Sequence, residues 1–509
     1  GEYAGRVAIT AMAAYGDSAV ITGGVDGSMF LAHTISIGAE SVNGVQLQWG
    51  SKGEVDRGSC SGSITCIAAS KGSGNKFGGA SDKNATRDDD QDEEEILASM
   101  DGCLIIAGNT GGSLRLWSLR DAYHASSVGS GGEDGPVANS SPTTLNRSHH
   151  GSGATSTRLN SDDKHSALAG SSLGGHRGGV TCIDLPPRIY RPDSLVSGGE
   201  DGLIKLWSLK SPSSDQVGRA PKSTVHGFFH GRQITTSVTD FDSSDAQVVL
   251  TGHEGKVVCI KTAWHGDKLL SGGADTTVRL WDLSGSDRTP LATLHGHQGW
   301  VTETHFWGSN TIISASTDRA IHLWDTRVGS SPLFALRFHL APISDLLLGD
   351  RSEPLMVSAG AEGSLATWDF RVLTGARADS DESNTAQSSR AIRTPPMASM
   401  IHGSQSLNSS AYCGSVRLAR AVARDDFSFF SVGDDGVVNE WEAASGYKMG
   451  SRDSFHSDAI SGFTTFTSTD DLRRNTTSGR GSVSCVGGTI TCSWDGTVRL
   501  RRLSRKSPR

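Results

Sequence analysis

The feature that most restricts what this chain can become is a spacing. A serine, an aspartate four positions later and a tryptophan six positions after that recur along its 509 residues. The pattern occurs at Ser197, Asp201 and Trp207, at Ser271, Asp275 and Trp281, and at Ser314, Asp318 and Trp324, with His176, His253 and His297 upstream in turn. Ser358, Glu362 and Trp368 after His339 form a fourth copy with Glu for Asp; in a fifth, Ser431, Asp435 and Trp441, Tyr412 stands in the histidine's place. Three looser copies complete the set. "VITGGVDGSMFLA" keeps Thr22 and Asp26 but has Ala32 for the tryptophan, "LIIAGNTGGSLRLW" keeps Trp117 but has Ala107 and Gly111, and "TITCSWDGTVRLRR" keeps Thr491 and Asp495 after His456 but ends on Arg501. One unit written at a regular period calls for one supersecondary element stacked on copies of itself.

Each unit reads as strands. In "TTVRLWDL", Val278, Leu280 and Asp282 fall on one side and Thr277, Arg279 and Trp281 on the other, and Gly-rich turns bound the run. A chain with 63 glycines and only 36% apolar residues suits many short strands better than packed helices. The GH pair, the turn aspartate and the WD-like dipeptide, at the ~40 to 45 residue period seen between Trp281, Trp324 and Trp368, resemble the WD-repeat β-propeller family. That resemblance implies an all-β propeller over residues 1–509, with eight blades, or seven if the weak first or second unit is not a blade. It also implies that His, Ser or Thr, Asp and Trp join in one hydrogen-bonded chain inside each blade. Such a set looks on paper like a catalytic Ser-His-Asp triad. A nucleophile is needed once, however, whereas this set recurs beside a Trp N–H that itself needs a partner, so the structural reading is preferred and a hydrolase is the remote alternative.

Between the units lie polar stretches at about 71–99, with the acidic run "DDDQDEEE", and at 122–173, 211–246, 376–410 and 467–481. Their composition cannot offset the entropy of ordering, so disordered insertions are expected there, and a frayed basic tail at 502–509. "RTPP", with Thr394, fits a proline-directed phosphorylation site. The opening "EYAGRV" aligns on "GHEGKV" and places Tyr3 in the histidine position; on that register the last blade lacks an outer strand, which an upstream part of the same polypeptide is expected to supply.

Several functional classes recede. A net charge of −8 gives no general attraction to nucleic acid, and no direct contact with it is expected. No apolar run is long enough to span a membrane. Cys66, Cys182 and Cys259 recur at one strand position and read as small core residues rather than disulfides. No metal-ligand spacing, phosphate loop or cofactor motif stands out, so no metal, cofactor or small-molecule substrate is expected and the chain is read as a non-enzyme. The expectation is a protein-interaction scaffold, intracellular (cytoplasmic or nuclear), that binds other proteins or peptides as part of a larger adaptor; the alternative is the substrate-recognition propeller of a ubiquitin ligase or of a DENN- or BEACH-like membrane-traffic protein.

The resemblance further implies contacts on the top face, at residues three and five after each GH histidine and just before each turn aspartate. Transferred position by position, these are Arg6, Lys256, Trp300 and Ser415; Thr181, Thr302, Ser344 and Arg417; and Glu200, Thr317, Asp434 and Trp494. Trp300 and Trp494 are the strongest, because an aromatic outside the blade's own Trp position is a natural anchor. Trp264 and Trp307, in matching turns on the opposite face, are expected to pack. Glu303 stands where other units have a small residue and is a candidate for the central channel.

Overall fold

Alternating strands with one apolar face must bury that face against another sheet, and here each four-stranded unit buries it against the next. The chain is described by a computed structural model over residues 7–16, 18–33, 44–48, 62–69, 100, 103–128, 167–169, 171–187, 194–209, 227–229, 232–234, 246–284, 288–349, 354–375, 395–402, 416–420, 427–453, 456–467 and 487–502. Eight antiparallel sheets form a ring. Blade 1 runs Ile9–Tyr15, Ala19–Gly24, Met29–His33 and Gly44–Gln48, and blade 2 runs Ile64–Ala69, Leu104–Asn109, Ser113–Ser118 and Ser171–Gly175. Blade 3 is Val180–Asp184, Ser194–Gly199, Ile204–Ser208 and Ala246–Leu250; blade 4 is Val257–Thr262, Lys268–Gly273, Val278–Asp282 and Ala292–Leu294. Blade 5 is Val301–Trp307, Thr311–Ser316, Ala320–Asp325 and Phe334–Arg337; blade 6 is Ile343–Leu348, Leu355–Gly360, Ser364–Asp369 and Ala398–Ile401. Blade 7 is Arg417–Arg420, Ser428–Val432, Val437–Glu442 and Lys448–Asp453, and blade 8 shows three strands among the described residues, Ile460–Thr467, Gly487–Ser493 and Val498–Arg502.

The first strand of every blade is the inner one. These eight strands pack side by side in chain order, and the last meets the first, so the ring closes. The core follows the same logic. Its eight apolar clusters each span one seam between neighbouring blades, such as Leu270, Val278, Val301, Ile312 and Trp324 between blades 4 and 5, and Val20, Phe466 and Ile490 between blades 8 and 1. A β-bulge near the start of the inner strand recurs from blade to blade, for instance between Val257 and Cys259 and between Val301 and Glu303. It frees one side chain to turn toward the next blade. Thr10, Thr65, Thr181 and Ser344 use that freedom: their hydroxyls donate to the carbonyls of Ile64, Val180, Val257 and Val416 at 2.5–2.7 Å, stitching blade to blade.

The eight-blade expectation holds, and some expected insertions are shorter than the sequence suggested. A helix, α1 (Leu119–Val128), enters the 122–173 stretch, which also holds the outer strand of blade 2 and the short strand Ala167–Ala169, parallel to the outer strand of blade 1. Ala122 and Tyr123 are buried, and His33 stacks on Tyr123 at 3.9 Å, so polar composition concealed an anchored first turn. The stretch 376–410 holds the outer strand of blade 6, and 211–246 holds a hairpin, Gly227–Phe229 with Arg232–Ile234. Thr467 still belongs to an inner strand, and Arg502 to a third strand. Residues 71–99, 468–481, 503–509 and Thr394 lie outside the described residues.

On the lower face, opposite the outer-to-inner connections, a second helix, α2 (Phe370–Gly375), closes the seam between blades 5 and 6. Trp307 stacks on its first residue, Phe370, at 4.2 Å, and Leu373 is buried beside it. Trp264 does not behave like Trp307. Its turn is one residue longer, Ala263 takes the strand-end place, and Trp264 moves to the tip with 72% of its surface exposed. Trp307→Ala should therefore cost about 2 to 3 kcal/mol in denaturant unfolding, as expected for a half-buried aromatic removed from its stack, while Trp264→Ala should leave the midpoint unchanged. Equal midpoints for the two variants would contradict the stacking assignment.

Candidate functional site

The repeated His, Ser, Asp and Trp meet as one chain of hydrogen bonds. In blade 4 the Trp281 indole N–H donates to Ser271 Oγ at 2.8 Å, Ser271 lies 2.7 Å from His253 Nε2, and His253 Nδ1 lies 2.9 Å from Asp275. Blade 3 repeats this with Trp207, Ser197, His176 and Asp201 at 2.8, 2.7 and 2.9 Å. In blade 5 Trp324, Ser314, His297 and Asp318 join at 2.9, 2.8 and 2.9 Å. In blade 6 Trp368, Ser358, His339 and Glu362 do so at 3.0, 2.7 and 3.2 Å, with Ser364 donating to Glu362. Blade 8 makes the link without a tryptophan, through Thr491, His456 and Asp495. An indole N–H can only donate, so the serine accepts it and passes its own hydrogen to Nε2, which leaves Nδ1–H to donate to the carboxylate. The carboxylate also caps the backbone: Asp275 accepts from Glu254 N–H and Thr277 N–H.

Burial pushes the Asp275 carboxyl up, but the hydrogen bond and charge of His253, with the Glu254 and Thr277 donors, outweigh it and hold the group well below the usual carboxylate range. Glu362 is likewise held down, to about 2, by His339 and Ser364 against the pull of burial. The serines of blades 3 to 6 are fully buried with both hydrogen-bonding roles in use, so none of them is placed to attack a substrate. Two of the described thiols are no better placed: burial raises Cys66 to about 11 and Cys182 to about 12. His402 completes blade 7, with Nδ1 2.7 Å from Ser431, Nε2 3.3 Å from Asp435 and Trp441 donating to the same serine at 2.7 Å. The sequence reading put Tyr412 there. The histidine instead directly follows the outer strand of blade 6, and the polar stretch falls after it; Tyr412 lies outside the described residues.

The top face has its own ruler. In seven blades the N–H before the turn aspartate donates to the carbonyl of the residue preceding the inner strand: Val25 to Ala8, Thr110 to Ser63, Glu200 to Gly179, Ala274 to Lys256, Thr317 to Trp300, Ala361 to Pro342 and Trp494 to Ala459, at 2.9 to 3.0 Å. Lys256, Trp300, Glu200, Thr317 and Trp494 thus stand where the sequence placed them. Arg6 does not: the ruler puts Ala8 in that place, because the first unit is offset by two residues, and Arg6, Tyr3 and Ser415 lie outside the described residues. Trp300 is 50% and Trp494 56% exposed, and the Lys256 ammonium lies 4.5 Å from the centre of the Trp300 ring. Asp434 is half-buried. Thr181 and Ser344 are seam stitches rather than surface groups. Thr302 occupies the same inward position, with its hydroxyl buried and without a hydrogen-bond partner among the described residues.

Behind the stitches runs a belt of inner-strand positions that reads Cys66, Cys182, Cys259, Glu303 and Asp345 in blades 2 to 6. Arg417 takes this place in blade 7. The inner strand of blade 7 has no bulge, so Arg417 pairs with Val432 as Glu303 pairs with Ala315, one place on from the position inferred from the sequence. Asp345, in "PISDLLL", was not singled out in the sequence; it accepts from the amide of Leu418 in the next blade at 2.8 Å. Burial first, and then the facing Asp345 carboxylate, hold the Glu303 carboxyl well above the ordinary carboxylate range; burial raises Asp345 too, against the Leu418 and Leu346 amides.

A ring of eight antiparallel sheets, most of them locked by a buried His–Ser/Thr–Asp/Glu set that usually includes a tryptophan, defines a β-propeller built from WD-type units. Residues 170–208, 244–282 and 288–325 match the WD40 family model, described as "WD domain, G-beta repeat", and the chain belongs to the WD-repeat propellers. It is 24% identical over 228 residues to a ribosome biogenesis protein YTM1 of Coccidioides immitis, covering 38% of this chain and 43% of that protein. It is 32% identical over 124 residues to a U5 small nuclear ribonucleoprotein 40 kDa protein of Dictyostelium discoideum, covering 24% of this chain and 34% of that protein. The chain thus spans less than half the length of these relatives. The crystal structure of the computationally designed Ika8 protein superposes with a TM-score of 0.53 over 98% of this chain and 97% of its own, at 15% identity, a likeness of fold alone.

Two outcomes follow for the buried groups. Ser271→Ala strands the His253 nitrogen and the Trp281 N–H, and Asp275→Ala frees His253 Nδ1 and the turn amides; each should cost about 1 to 3 kcal/mol in chemical denaturation, and a loss below the error of the measurement would refute the network. For Glu303, a raised folded-state pKa means the native state holds a proton that the unfolded chain releases near 4.5. Its presence should make stability fall as pH rises from that value through neutrality. Glu303→Gln should flatten that decline in melting scans between pH 5 and pH 8, scan limits taken as roughly the window over which folded proteins are most stable; an unchanged slope would count against the assignment.

Proposed function

We propose that this propeller is a non-catalytic protein-interaction scaffold, part of a larger adaptor, which holds a partner protein or peptide on its top face at blades 4 and 5. The observation that carries the reading is the Lys256–Trp300 pair: the network tryptophans are sealed inside the blades, while Trp300 offers half of its surface beneath an ammonium 4.5 Å away. A rigid aromatic with a cation across its face suits a partner segment that brings an apolar side chain beside a carboxylate.

A second observation points to the same two blades. The residue after the turn aspartate needs a positive φ, and six blades meet that need with glycine, as at Gly202 and Gly363. Blades 4 and 5 instead place Thr276 at φ 66° and Arg319 at φ 70° there. Side chains held in that region cost about 1 kcal/mol or more, and a cost retained beside Trp300 fits a surface kept for contact. Leu340, at the entry to blade 6, adds an apolar group 81% exposed.

The relatives' names tie them to ribosome biogenesis and to a nuclear ribonucleoprotein, which supports a place within a multi-subunit assembly, cytoplasmic or nuclear, ahead of the ubiquitin-ligase or membrane-traffic alternatives. Among the described residues no helix is long and apolar enough to cross a membrane. Blade 8 shows three strands among the described residues, and a fourth strand from elsewhere in the polypeptide would complete it.

The test is a pull-down with quantitative mass spectrometry on the parent protein, Trp300→Ala and Arg319→Gly. Trp300→Ala should reduce capture of the specific partners by an amount equivalent to about 2 kcal/mol at unchanged melting temperature. Arg319→Gly should weaken capture while raising stability by about 1 kcal/mol. Undiminished capture by Trp300→Ala would move the binding surface elsewhere.

A further inference from the structure

On the lower face the seam between blades 4 and 5 has no helix of this chain over it among the described residues, and two other seams show how such a helix packs. Between blades 1 and 2, Tyr15 at the end of an inner strand packs with Leu119, Ala122 and Tyr123 of α1. Between blades 5 and 6, Trp307 at the same strand position packs against Phe370 and Leu373 of α2. Leu119 and Phe370 are equivalent residues, each following the third strand by the same step. Their amides donate to Cys103 and Pro354 carbonyls at 2.9 and 2.8 Å, and Thr326 N–H makes the same bond to Asn310 at 2.9 Å in blade 5.

At the seam between blades 4 and 5 both places are empty of large apolar groups. Ala263 stands where Tyr15 and Trp307 stand, and Thr326 where Leu119 and Phe370 stand. Blade 5 reads Asp325-Thr-Arg-Val-Gly329 and blade 6 reads Asp369-Phe-Arg-Val-Leu373, so the frame is shared. In both, the arginine folds back on the aspartate, at 2.7 and 2.9 Å. Only the two capping residues differ, Thr for Phe and Gly for Leu. Gly329, at φ 133°, also takes a conformation that breaks the helical course followed by α2. The turns on either side of the open seam then expose Trp264 at 72%, Leu291 at 58% and Val328 at 57%.

We propose that this seam is a docking site for a short amphipathic helix of a partner protein, whose aromatic and leucine three residues apart take the places that Phe370 and Leu373 fill in the next seam. The occupant's chemistry is set by the internal precedent: two of the chain's own helices already close equivalent seams with an apolar first residue and a second apolar group three or four positions on, the spacing that places both on one helix face. The site lies on the opposite face from Trp300 and does not rest on the reading of that surface.

The probe is a capped peptide copying residues 368–378 of this chain, with a control peptide in which the residues corresponding to Phe370 and Leu373 are serine. The full chain is labelled with 5-fluorotryptophan, and the Trp264 resonance is assigned by its loss in Trp264→Phe. The copied peptide should shift that resonance saturably, and the control should not. Thr326→Phe, which builds the missing cap in place, should weaken the response at least tenfold. Trp264→Ala, exposed and therefore harmless to folding, should weaken binding of a fluorescein-labelled peptide at least fivefold in anisotropy titrations, with melting curves recorded for each variant. A Trp264 resonance indifferent to the peptide, an equal shift with the control, or full binding retained in Trp264→Ala would overturn the proposal. So would a resonance that moves with protein concentration alone, which would make a second copy of the chain the occupant.

Discussion

One buried hydroxyl organises each complete blade. The indole N–H of the third strand and the imidazole of the incoming loop both need a partner that the apolar core cannot give, and a single serine on the second strand serves both. Leaving either unpaired would cost more than any one apolar contact returns. The histidine is thereby fixed to the blade that follows it in sequence, and the carboxylate on its far side fixes the turn. The entry to the inner strand and the second turn are thus tied at the top of each complete blade, and the N–H···O=C bond above them recurs at 2.9 to 3.0 Å in seven blades, blades 1 and 2 with their partial sets included. Where an element of the set is missing, other packing takes over. Blade 1 has Ala32 in place of the tryptophan and gains the Tyr123 stack from α1, and blade 8 has Arg501 and retains the histidine link through Thr491.

The seams are less uniform than the blades. Four are stitched by a Thr or Ser hydroxyl reaching the next inner strand, whereas Val258 brings no such hydroxyl and Thr302 stays unpaired among the described residues. Both seams beside blade 5 are among those without a stitch, and there the belt turns from thiols to carboxylates. Burial raises the Glu303 and Asp345 carboxyls together above the ordinary carboxylate range, with Arg417 supplying a positive charge that opposes the rise at Asp345. The charged members of the belt thus run through blades 5 to 7, next to the Lys256–Trp300 pair at the top of blades 4 and 5.

Most of the architecture was legible because its cause is local. A fixed Ser–Asp–Trp spacing reports a hydrogen-bond geometry that only one blade design satisfies, so the eight units and the tetrads of blades 3 to 6 could be read directly. What escaped was register. In blade 1 the offset of two residues, Ala8 for Arg6, was hidden because "GRV" mimics "GKV" and no histidine marks the loop. His402 was missed because a polar stretch was taken to lie before the histidine rather than after it. Arg417 moved one place because the loss of a bulge leaves no trace in composition, and Trp264 was misjudged because one extra turn residue separates a strand end from a turn tip. Helix α1 begins inside a stretch whose average composition is polar, since three buried residues suffice to anchor it.

The same backbone rule that made the top face legible also explains why function can reside there. The positions before the inner strand and before the turn aspartate are held by main-chain bonds, so their side chains contribute little to the fold and are free to differ: Ala8, Gly179, Lys256, Trp300, Pro342 and Ala459 occupy one place. On the lower face the turns obey no such rule, and their lengths vary, which lets Trp264 stand clear while Trp307 is covered. A partner at the top would meet a surface preorganised by eight repeats of one geometry, with little ordering cost on the propeller's side. A partner on the lower rim would instead complete a core that the chain leaves unfinished. That difference separates the two surfaces in kind: the first selects by side-chain chemistry on a rigid frame, the second by shape, through an apolar place that blades 2 and 6 fill from within.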